Sequence, residues 1–133
     1  MAYVFFNPNP DGKLVDDCVI RALSIVLDMD WEEVNAKLSV ISLMYHDMMN
    51  SNYVWAKMLD EYGFRRHIIP NTCPSCYTVR QFASDNPEGV YLLATGQHVV
   101  AVINGDYLDT FDSGDYVPIY YWQKEVFQPV KVN

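Results

Sequence analysis

The chain has 133 residues, with 17 acidic side chains against nine basic ones, a formal charge of −8 at pH 7 and an isoelectric point near 4.6. That balance argues against a nucleic-acid partner, which would be met by a basic face, and disfavours anionic membrane surfaces for the same reason. Half of the residues are hydrophobic, with ten Tyr, six Phe and three Trp, the composition of one folded domain over 1–133 rather than of a disordered segment.

Asn7-Pro8-Asn9-Pro10-Asp11-Gly12 is an entry loop, because Pro fixes φ while Asn, Asp and Gly accept turn conformations. It delivers the chain to a helix over Asp17–Asp28, in which Val19, Ile20, Ala22, Leu23, Val26 and Leu27 cover most of the circumference; such a helix is buried on nearly all sides. Cys18 falls at its N-terminus, where unpaired N–H groups and the positive end of the helix dipole favour a thiolate. Asp30 followed by Glu33 gives an acidic form of the capping box ahead of a second helix, Trp31–Leu43. A third, Asn52–Tyr62, ends at Gly63. The stretch Met44-Tyr45-His46-Asp47-Met48-Met49 between them is expected at a core edge or in a loop packing over the sheet.

Beyond Gly63 the period changes. Arg65–Ile69 reads as a short strand, Thr78–Asp85 as a short helix capped by Thr78, and Gly89–Ala94 as a strand rich in β-branched and aromatic residues. His98 opens the run His98-Val99-Val100-Ala101-Val102-Ile103, which turns at Asn104-Gly105 into Tyr107-Leu108-Asp109-Thr110-Phe111-Asp112. A last strand lies near Val117–Trp122. Helices first and antiparallel strands afterwards make an α+β fold rather than alternating βαβ units.

A thiol on a helix tip, an imidazole on a strand and a carboxylate on the next strand are the parts of a thiol hydrolase: His98 takes the Cys18 proton, the thiolate attacks an acyl carbon and a carboxylate orients the imidazole. The hairpin register decides which carboxylate. A two-residue loop pairs Ile103 with Asp106, sets His98 opposite Phe111 and puts Asp109 on the same face; a three-residue loop with a bulge sets His98 opposite Asp112.

Asn7-Pro8-Asn9-Pro10, Asp17-Cys18-Val19-Ile20-Arg21-Ala22-Leu23, Gly96-Gln97-His98-Val99-Val100-Ala101-Val102 and Asp109-Thr110-Phe111-Asp112 together resemble papain-like cysteine peptidases. The likeness is to small papain-like proteins of bacteria and phages, and the order and spacing of Cys, His and Asp are similar to those of bacteriocin leader peptidases. The resemblance implies a papain-like fold, with a buried central helix packed on a C-terminal antiparallel sheet, and a triad of Cys18, His98 and Asp112, with Asp109 as the alternative. A thiol hydrolase of this kind is expected to take a peptide or protein substrate and to need no cofactor. Papain-like enzymes usually carry a Gln about six residues before the nucleophile, and here position 12 is Gly. Of the nearby polar residues Asn9 is the candidate oxyanion donor, since an amide donates where a carboxylate repels. The backbone N–H of Cys18 is a second donor.

Cys73-Pro74-Ser75-Cys76 reads as a loop with two incidental thiols; the weaker alternatives are a disulfide, or a zinc site that adds His67 and a fourth ligand from elsewhere. Three cysteines cannot all pair within one chain, which fits a reducing, cytoplasmic setting. The N-terminus lacks the order of a signal sequence, and no run reaches the ~18 apolar residues of a membrane span. The function expected is that of a cysteine peptidase acting on peptide or isopeptide bonds. The alternative is a catalytically silent papain-like binding module, phage-encoded and engaging a host protein.

Overall fold

The apolar residues of the first helix cover most of its circumference, and the structure packs it between the second helix and the sheet. The computed structural model describes residues 2–124, so residues 1 and 125–133 of the expected 1–133 domain lie outside the described residues. The elements run β1 (Tyr3–Phe5), α1 (Cys18–Leu27), α2 (Trp31–Tyr45), α3 (Asn52–Glu61), β2 (Phe64–Ile68), α4 (Val79–Asp85), β3 (Val90–Ala94), β4 (Val99–Ile103), β5 (Asp106–Asp109) and β6 (Tyr120–Lys124). The fold is α+β, and its six strands form one sheet in the order β1-β5-β4-β3-β6-β2.

Strands β2 to β6 pair antiparallel, as expected, but β1 joins the edge parallel to β5 through Tyr3↔Tyr107, Val4↔Leu108 and Phe5↔Asp109. The sheet is therefore mixed. Three residues are too few for an alternation pattern, so β1 had no signal of its own in the sequence. The last strand lies further along than the sequence suggested, at Tyr120–Lys124, where it fills the space between β3 and β2.

Side chains of β4 alternate between two cores. Val99 and Ala101 join Leu92, Ala94 and Trp122 beneath α1, α2 and α3, where Leu23, Leu38, Val54 and Met58 are fully buried. Val100 and Val102 face the other way, with Leu93 and Tyr107, against Val79, Phe82 and Ala83 of α4. Burying a Leu or Val side chain contributes about 1.5–3 kcal/mol, so β4, buried on both faces, is a stable support for whatever sits at its start. His98 sits there.

Capping follows the sequence in part. Thr78 and Gln81 form both halves of a capping box, and Ser51 caps α3 by accepting from the Tyr53 N–H. Asp30 and Asp17 make no side-chain cap bond. For Asp17 the reason is that its carboxylate is already engaged by Arg21 and Trp31. At the hairpin, Asn104 (φ 49°) and Gly105 (φ 84°) form the two-residue loop and Ile103 pairs with Asp106. No helix among the described residues is long and apolar enough to cross a membrane.

Candidate active site

Cys18 is the first residue of α1 and His98 immediately precedes β4, which packs beneath that helix. This brings the two side chains onto one cleft, near enough for each to shift the other's pKa, although 80 positions separate them. His98 Nε2 lies 2.6 Å from Asp109 Oδ2 at the end of β5. That bond leaves the other ring nitrogen, Nδ1, free of Asp109. The two-residue hairpin loop is what selects Asp109: His98 falls across from Phe111, its ring 5.1 Å from the phenyl, and Asp109 shares that face.

Asp112, the carboxylate that the resemblance favoured, is not at the histidine. Its Oδ1 accepts from the Tyr107 hydroxyl at 2.7 Å and from the Gly114 N–H at 3.0 Å. A bulged loop would have been needed to carry it to His98, and the Asn104-Gly105 turn has no bulge.

Asp109 is 1 % exposed and each of its oxygens has two partners. Oδ2 takes His98 and the Ser113 hydroxyl (2.8 Å); Oδ1 takes Arg21 Nη2 (2.8 Å) and the Thr110 N–H (2.8 Å). Arg21 in turn reaches Asp17 Oδ1 at 2.5 Å, and Trp31 Nε1 donates to Asp17 Oδ2 at 2.9 Å. Asp17, Arg21, Asp109 and His98 thus form one continuous chain of alternating charge sign across the base of α1, and Cys18 lines the same cleft as its last member.

The electrostatics follow from that chain. Burial pushes the Cys18 thiol up, but hydrogen bonds from His98 and from the Val99 N–H, with the positive charges of His98 and Arg21, outweigh it and leave the thiol below its ordinary value. Burial pushes His98 down, yet its bonds to Asp109 and Cys18 win and raise it to about 9. Asp109 is opposed by burial and held below the usual carboxylate range by His98 and Ser113. Both shifts favour the thiolate–imidazolium form of the pair.

Cys18 and His98 open onto a cleft of about 490 Å³. Its floor is apolar, with Ile20, Leu38, Met49 and Trp55, and its rim carries Asn50, Asn52, Gln97 and Asp16. Met48 and Met49 of the stretch after α2 line this cleft rather than the sheet, Met48 being largely exposed. Asn9, the expected oxyanion donor, is not among the lining residues: its Oδ1 accepts from the N–H groups of Asp11 and Lys13 and closes the entry loop on itself. An Asn in a Pro-rich turn serves its own backbone first. The donors facing the cleft are the amides of Asn50, Asn52 and Gln97 and the N-terminal N–H groups of α1.

Cys73 and Cys76 are joined in a disulfide, and His67 stacks on Tyr121 with ring centroids 4.8 Å apart. The reading as two incidental thiols is corrected, and the zinc alternative loses its thiolates to each other. No group of three or more His, Cys, Asp or Glu side chains placed to hold a metal occurs among the described residues.

Sequence reasoning missed Arg21 and Ser113. Arg21 carried a signal, since a lone cation within the otherwise apolar face of a central helix must meet a buried carboxylate. Ser113, in a loop after β5, carried none. No family model, curated protein or solved structure matches the chain.

Proposed function

We propose that the protein is a papain-like thiol hydrolase of peptide or isopeptide bonds, working through Cys18, His98 and Asp109. The observation that carries this reading is the 2.6 Å bond between Asp109 and His98, with His98 and Cys18 lining one open cleft. In the reaction the Cys18 thiolate adds to the acyl carbon. The imidazolium then protonates the departing amine as the C–N bond breaks, leaving a thioester. Water, losing its proton to His98, attacks the thioester, releases the acid and restores the thiolate. The N–H groups at the tip of α1 and the rim amides are the donors for the oxyanion.

One observation favours a second reading, a silent binding module on the same scaffold. Upstream of Cys18 the cleft is lined only by Asp16 and Asp17, and carboxylates do not stabilise an oxyanion.

The deciding experiment is the rate of Cys18 alkylation by iodoacetamide against pH, read by mass spectrometry in the wild type and in His98→Ala. A fast reaction at pH 6 that His98→Ala slows supports the hydrolase. Slow labelling indifferent to His98 would leave only the binding module.

A further inference from the structure

We propose that Arg21 is a positioning residue of this site. Its guanidinium, clamped between Asp17 and Asp109, keeps Asp109 ionised and aimed at His98, and so sets the pH at which Cys18 becomes a thiolate. The inference rests on the reading of Cys18, His98 and Asp109 as the reacting set.

Three features lead to it. Arg21 is 4 % exposed, and both of its partners are as deeply buried, Asp17 at 7 % and Asp109 at 1 %. A buried ion triad of this kind is weak as a source of stability, because apolar residues of the same volume often do as well. Its composition is more telling. One carboxylate belongs to the residue directly before the nucleophile and the other to the partner of the histidine, so the guanidinium ties the helix tip bearing Cys18 to the strand end beside His98.

The second feature is the division of Asp109. Arg21 and the Thr110 N–H occupy Oδ1, while His98 and the Ser113 hydroxyl occupy Oδ2. With Oδ1 held, the carboxylate cannot turn, and the oxygen facing His98 is fixed. The third is charge. The charged and titratable groups around Arg21 are Asp17 from the start of α1, Asp109 from the end of β5 and Tyr3 from β1, whose hydroxyl donates to the Asp109 carbonyl; His98 stands beyond Asp109, and Cys18 shares its cleft. Without the guanidinium, two buried carboxylates would face each other and Asp109 would be driven toward its protonated form. A neutral Asp109 no longer stabilises the imidazolium, and the thiolate loses its counter-charge. The position of Arg21 one turn along from Cys18, on the same helix face, adds its own field at the sulfur.

The test is the pH midpoint of Cys18 alkylation in the wild type, Arg21→Gln, Arg21→Lys and Asp17→Asn, each checked for folding by circular dichroism. Arg21→Gln is expected to raise the midpoint by about one pH unit or more and to slow alkylation at pH 6 about tenfold. Arg21→Lys, which keeps the charge, is expected to stay within about half a unit of the wild type. Asp17→Asn, which removes a negative charge beside the thiol, is expected to leave the midpoint level or lower it. A merely structural strut would move all three variants the same way. A folded Arg21→Gln with the wild-type midpoint overturns the inference while a His98-dependent wild-type midpoint leaves the hydrolase standing; absence of that wild-type midpoint overturns both. Should Arg21→Gln fail to fold, a midpoint raised in Asp17→Asn, or raised in Arg21→Lys as far as in His98→Ala, overturns it.

Discussion

Asp109 meets His98 at 2.6 Å, while Asp112, three residues further along the same hairpin arm, is turned to Tyr107. The two aspartates are therefore separable by mutation. Asp109→Asn is expected to slow Cys18 alkylation at pH 6 about tenfold or more, because the imidazolium loses its counter-charge. It should also lower unfolding free energy by about 3 kcal/mol, since Arg21 is left buried with one carboxylate fewer. Asp112 is half exposed, and Asp112→Asn is expected to cost about 1 kcal/mol or less and to leave the alkylation rate unchanged. Urea unfolding and alkylation kinetics on the two variants check this; equal behaviour would mean that the hairpin register is not the one described.

The paired shifts of Cys18 and His98 predict how stability depends on pH. His98 is raised from 6.5 to about 9, so its contribution is complete below 6.5, declines between those values and is gone above 9. Cys18 is lowered from 9.0, so its contribution is absent below its folded value, grows as pH rises toward 9.0 and is complete above it. In the wild type the two trends oppose each other, and the gain from Cys18 offsets part of the loss from His98 as pH rises from 6.5 to about 9. Cys18→Ala removes the compensating half, and its stability should fall as pH rises through that window. Denaturant midpoints measured across the range decide the matter, and parallel curves for the two proteins would contradict a thiolate–imidazolium pair.

Why Cys18 and His98 were legible in the sequence, while their supporting residues were not, has a physical reason. A thiol at a helix tip and a histidine at a strand start are set by local patterning, which the hydrophobic period and the Asn104-Gly105 turn make visible. The turn left two registers open, one for each aspartate; the preference for Asp112 came from resemblance, and the two-residue loop that forms brings Asp109 to His98 instead. Asn9 failed because a short polar side chain bonds to its own backbone before it reaches across a cleft. Strand β1 owes its place to pairing with β5, a long-range contact with no local signature. Ser113 reaches Asp109 only because the loop after β5 folds back.

Ser113 is fully buried, and its hydroxyl donates to the Asp109 oxygen that also faces His98. Ser113→Ala removes one donor from a buried carboxylate without opening a large cavity. The expected loss of stability is about 1–2 kcal/mol. Asp109 should become easier to protonate, so the decline of alkylation on the acid side should begin at higher pH than in the wild type. An acid limb that does not move would show that Ser113 supports the fold alone.

Cys73 and Cys76 lie outside the cleft that Cys18 opens onto, and their sulfurs are joined to each other. The unreduced, unfolded protein should therefore show one thiol to Ellman's reagent, and the reduced protein three. A bridge between residues so near in sequence restricts the unfolded chain little, so Cys73→Ser with Cys76→Ser should cost at most about 2 kcal/mol. The alkylation midpoint of Cys18 should stay where it was, because neither sulfur of the bridge is among the groups that shift it. A midpoint that moved with the double substitution would tie the segment around Cys73 to the helix tip.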